Sequence, residues 1–115
     1  MARMIVDPEC PHVVRRVRRL IQNHMGHEAA TVFSEAMANV REHGEASPAE
    51  LVLHNAGFEL CNARRGHFRR NSRKPSGEGG YGRSIMERYG ASLNAGPHRF
   101  HVTWHKSGTR DHISE

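Results

Sequence analysis

The sequence predicts an α/β fold: a two-layer sandwich in which helices segregate to one face of a mixed sheet. Three observations carry that expectation. Apolar residues recur at helical spacing in two successive stretches near the N-terminus. Short runs rich in Val, Leu, Phe and Thr alternate with turn residues further on. The resulting order is strand, helix, helix, strand, strand, long loop, helix, strand, strand. At 115 residues there is room for one domain with one such core.

Residues 3–7 read as a first strand closed by Asp7-Pro8. From Pro11 to Met25, Val13 or Val14, Val17, Leu20 or Ile21 and then His24 or Met25 form an apolar stripe, with the arginines opposite. Gly26 breaks that run. A second helix is expected from Glu28 to Glu42, ending at Gly44, a favoured residue just past a helix C-terminus. Its buried stripe is Ala29, Val32 or Phe33, Ala36 or Met37, and Val40. Residues 50–55 and 57–61 read as strands, followed by a polar stretch, 62–79, of the length that usually carries function or stays disordered. A third helix runs from Arg83 to Tyr89 and stops at Gly90. Two last strands, near 91–95 and 99–106, turn at Gly96-Pro97, and residues 107–115 form a polar tail.

Charge is concentrated. Lys and Arg number 17 against 12 Asp and Glu, a formal net charge of +5. Arg15, Arg16, Arg18 and Arg19 make one cluster, and Arg64, Arg65, Arg69, Arg70, Arg73 and Lys74 another. Such patches attract nucleotide phosphates, nucleic acid or an acidic protein face. No segment approaches the roughly 20 apolar residues of a membrane span, and the first residues lack the apolar core of a secretory signal. Two cysteines, Cys10 and Cys61, are too few for a disulfide scaffold and fit a reducing cytoplasm. The ten histidines show no zinc-site spacing. His101 and His105 share a strand face and His98 does not.

Glu35 and Asn39 lie four residues apart, one helical turn, beside the second helix's core stripe. The segment around them, Phe33-Ser-Glu-Ala-Met-Ala-Asn-Val-Arg-Glu-His-Gly44, resembles the N-box of histidine-kinase-like ATPases. It is closest to the anti-sigma-factor serine-protein kinase branch. The stretch Gly77-Glu-Gly-Gly-Tyr-Gly-Arg-Ser-Ile85 is similar to the glycine-rich end of that family's ATP lid. The resemblance covers residues 10–106. It implies a histidine-kinase-like ATPase domain over 1–106, with 62–79 as the lid. ATP and Mg²⁺ would be bound, with Asn39 on the metal and Glu35 activating a hydroxyl as catalytic base. His43, Asn55, Gly57, Gly79, Gly80 and Gly82 would complete the nucleotide site.

The family's third box, Asp-x-Gly-x-Gly-Phe, ends in Gly57-Phe58 when aligned here, which puts Leu53 or His54 where the adenine-reading Asp belongs. Arg99-Phe100-His101 stands where a Thr assists that contact. A buried hydrogen bond to a charged group is worth about 1.5–3 kcal/mol, so the base end of the pocket is altered while the phosphate end is kept. Two principal readings follow, with a third behind them. The chain is an Mg-ATP-dependent serine-protein kinase, or a regulator that has lost ATP and sequesters a protein. The third is a basic nucleic-acid-binding module, ranked last because Phe68 is the one aromatic in the basic stretches. A sigma factor or an antagonist-like protein is the partner the resemblance implies, together with a homodimer.

Overall fold

The computed structural model describes residues 2–43, 48–63, 84–95 and 99–106. The elements are β1 (Ala2–Val6), α1 (Pro11–Met25), α2 (His27–His43), β2 (Ala49–His54), β3 (Gly57–Ala63), β4 (Ser92–Ala95) and β5 (Arg99–His105). Residues 84–88 form a short helical segment between β3 and β4. The five strands make one sheet in the order β1-β2-β3-β5-β4. The expected two-layer α/β sandwich is present.

The sheet is not mixed. Every neighbouring pair, β1–β2, β2–β3, β3–β5 and β4–β5, is antiparallel. For β1 and β2 the reason lies in the two helices between them. A single crossover helix would return the chain to the end where β1 began and allow a parallel partner. Here α1 runs back along the sheet and α2 runs forward again, so β2 starts where β1 finished. Val6 accordingly pairs with Ala49, and Ala2 with Leu53. The junction between the helices is one residue. Gly26 has φ +105° and donates its N–H to the Gln22 carbonyl at 3.0 Å, while Ala30 donates to the Gly26 carbonyl at 3.2 Å. That backbone region is open to glycine almost alone.

Alternation decides which sheet face the helices cover. Leu51, Phe58, Leu60, Phe100, Val102 and Trp104 point inward and are buried, meeting Val17, Ile21 and Met25 of α1 and Val32, Phe33, Ala36 and Val40 of α2. Register aligns them in rows, Met4–Leu51–Leu60–Val102–Leu93 being the central one. Met86 of the short helical segment joins this core. The Trp104 Nε1–H donates to the Tyr89 carbonyl at 2.9 Å, fastening that segment over β5. Among the described residues no helix is long and apolar enough to cross a membrane.

Candidate functional site

The antiparallel arrangement gives the sheet two distinct ends. At one end stand the C-terminus of α2, the start of β2 and the finish of β3. At the other stand the α1–α2 junction and the two-residue β2–β3 turn, Asn55-Ala56.

Glu35 and Asn39 are both half-buried on α2. Their neighbours Ser34, Ala38 and Arg41 face α1, where Arg18 Nε donates to Ser34 Oγ at 2.8 Å. Helical spacing therefore puts Glu35 and Asn39 on the other flank, which α1 leaves uncovered, one above the other. Asn39 lies about 18 Å along the axis from the helix start, close to the C-terminal end of α2. His43 occupies the last helical position, and its side chain lies outside the described residues. Gly79, Gly80 and Gly82 also lie outside them, as do the basic stretch 64–74 and the 107–115 tail. The first two residues of the stretch expected as a loop from residue 62, Asn62 and Ala63, belong to β3.

The remaining two predicted positions do not join this group. Asn55 is in the β2–β3 turn, and His54 and Asn55 flank a shallow cleft with Ala2, Leu20, His24 and Met25, at the far end of the molecule from Asn39. Gly57 faces the backbone of β5: a Cβ there would overlap the Trp104 carbonyl oxygen and touch His105. Glycine is needed at 57 for strand packing, whatever else the residue does.

Sequence reasoning missed Asn62. It is 1% exposed, the one buried polar residue among those described. It sits near the end of β3 with its Nδ2 donating to the Pro48 carbonyl at 3.2 Å, at the same end of the sheet as the α2 C-terminus. Its neighbours Cys61, Ala63 and Arg64 give no periodic cue, so only burial distinguishes it.

It also missed a cluster on the face of the sheet opposite the helices. His54 Nε2 donates to Glu59 Oε2 at 3.0 Å, and His101 Nε2 stands 3.6 Å from Glu59 Oε1. The three residues come from three strands and meet because Glu59 lies between β2 and β5. The hydrogen bond from His54 holds the Glu59 carboxyl below its ordinary value of 4.5; burial opposes this, and the charges of His54 and His101 add to the lowering. A depressed carboxyl stabilises the fold above its unfolded-state value, and that contribution disappears as pH falls through the folded value. With side-chain exposures of 33% for His54 and 41% for Glu59, it amounts to at most about 0.5 kcal/mol. Glu59→Gln is therefore expected to be slightly less stable than the parent in urea melts at pH 6 and equal to it at pH 3. An unchanged gap at pH 3 would assign the difference to something other than ionisation. Among the described residues no three His, Cys, Asp or Glu side chains are placed to hold a metal ion.

No protein-family model matches this sequence. No curated protein matches it either.

Proposed function

We propose that the chain is an ATP-binding regulatory domain of the histidine-kinase-like type, nearest in design to anti-sigma-factor serine kinases and working in the cytoplasm. One observation carries the reading. Glu35 and Asn39 stand one turn apart, half-buried, on the open flank of α2 and near the end of the sheet that holds Asn62. The residue types suit Mg-ATP. An amide oxygen is a neutral Mg²⁺ ligand, and a carboxylate can take a hydroxyl proton. The cofactor would supply the phosphoryl group to be transferred.

The base end is revised from the sequence alignment. Asn55 and Gly57 lie at the opposite end of the sheet from Asn39, and Asn62, 1% exposed with its Nδ2 bonded to the Pro48 carbonyl, is closed to a ligand, so no described residue is assigned to the base.

Calorimetric titration with ATP, with and without Mg²⁺, tests the reading. Binding in roughly the micromolar range is expected. Asn39→Ala should remove the Mg²⁺-dependent part, and Glu35→Ala should spare binding while stopping transfer to a serine of the partner. Affinity unchanged in Asn39→Ala would take that residue out of the site. The absence of binding at millimolar ATP would favour the second reading, a regulator that holds a protein partner without nucleotide. The remoteness of Asn55 and Gly57 from Asn39 is the observation on its side.

A further inference from the structure

The flank of α2 that faces α1 carries its own opening. A cleft of about 270 Å³ runs between the two helices, lined by Pro8, Pro11, Val14, Met37 and Ala38 along its apolar floor. Arg15 of α1 and Arg41 of α2 stand on its walls, both exposed. Arg16 and Arg19 extend the positive surface along α1. Arg18 is already engaged, donating to Ser34 and, at 3.4 Å, to Gln22. Among the described residues no ion pair engages Arg15 or Arg41. Two cations thus border an apolar trough.

We infer that this groove docks an acidic amphipathic helix of a partner protein. The match is one of charge and shape. A helix laid between α1 and α2 would set apolar side chains over Pro11, Val14 and Ala38, and carboxylates one turn apart would meet Arg15 and Arg41. Arginine suits this role because its planar donors take a carboxylate in pairs. A nucleic acid fits less well. Its phosphates gain nothing from an apolar floor, and no described Phe, Tyr or Trp is exposed for base stacking. The groove is on the opposite flank of α2 from Glu35 and Asn39, so the inference stands whether or not nucleotide binds.

The test uses a fluorescein-labelled peptide of about 18 residues, with leucines at helical spacing and glutamates beside them. A scramble of the same composition keeps the charge and destroys the stripe. The helical peptide is expected to bind the full chain, raising its anisotropy and shifting the backbone amide resonances of Val14, Arg15, Ala38 and Arg41. Arg15→Glu with Arg41→Glu should weaken it about tenfold or more. Ala38→Gln, which fills the trough and leaves the charge alone, should weaken it too. Both changes are on exposed positions, and circular dichroism checks that the variants fold. Equal affinity for the scramble, or equal affinity of all variants, would overturn the groove as the docking site. So would a duplex oligonucleotide that binds more tightly than the peptide and shifts the same resonances, or loss of the free groove to a second copy of the chain in sedimentation at the same concentration.

Discussion

Phe58→Ala is expected to destabilise the domain by about 4 kcal/mol, a large part of what a small domain possesses. Phe58 is fully buried at the start of β3, the central strand. Its ring meets Phe33 of α2 edge-on, with centroids 6.3 Å apart and planes at 81°. On its other side it lies 6.3 Å from Trp104 of β5, at an interplanar angle of 23°. The one side chain thus joins the helix layer to the sheet and β3 to its neighbour. Truncation removes apolar area and leaves a cavity that three rigid elements cannot close together. The chain has one tryptophan, and it is the ring beside Phe58, so urea unfolding can be followed by intrinsic fluorescence at the point of change. Comparing Phe33→Ala, Phe58→Ala and the double variant should give a coupling of about 1 kcal/mol for the edge-on pair. Additive losses would mean that the rings do not touch in solution.

Gly57→Ala is expected to cost about 3 kcal/mol, though it adds one methyl group. The obstacle is main chain. The added carbon would meet the Trp104 carbonyl, and the His105 Cα and ring lie 3.0 Å away on the same side. Gly57 opens β3, yet its backbone has little room to retreat, because it pairs with His54 on one side and with His105 on the other. A flexible side chain in the same place would give way at a small fraction of this cost. The variant also separates two accounts of the residue. A lowered urea midpoint with nucleotide affinity per folded molecule unchanged agrees with Gly57 being a packing residue far from Asn39. An intact fold with nucleotide affinity lost would return Gly57 to the ligand site.

Much of the fold was legible because it depends on local periodicity. Val17, Ile21 and Met25 of α1 are buried at steps of four while Arg15, Arg16 and Arg19 stay outside, as the pattern required. Gly26 ends α1 where expected, since a positive φ can be read from a glycine at the close of an apolar stripe. The break between β2 and β3 was also visible, although Asn55, read as the last strand residue, belongs to the turn. Strand direction was not. Whether two strands lie parallel depends on how many helices intervene and which way they return, and neither leaves a mark on any single residue. The candidate site divides the same way. Glu35 and Asn39 share a helix, so spacing was enough to place them together. Asn62 and the His54–Glu59–His101 cluster depend on contacts between elements. The alignment that put Asn55 in the nucleotide site followed sequence order around Gly57-Phe58, whereas the chain turns round at that point and carries β3 toward the opposite end.

The order in which the strands pair has a temporal meaning. The β2–β3 hairpin and the α1–α2 hairpin close over short separations, within reach of the microsecond events of early folding. By contrast Val6 must find Ala49, and Asn62 must find Phe100, closures of roughly 40 residues each whose entropy is lost before any contact repays it. The sheet's centre is one of these late seams, because β3 borders β2 on one side and β5 on the other. During synthesis the helices and the first three strands leave the ribosome with Phe58 and Leu60 still unpartnered along one edge. They wait for the residues that come last in the described chain, Val102 and Trp104. Until those arrive the nascent domain exposes an unpaired apolar strand, the surface that chaperones recognise and aggregates grow from.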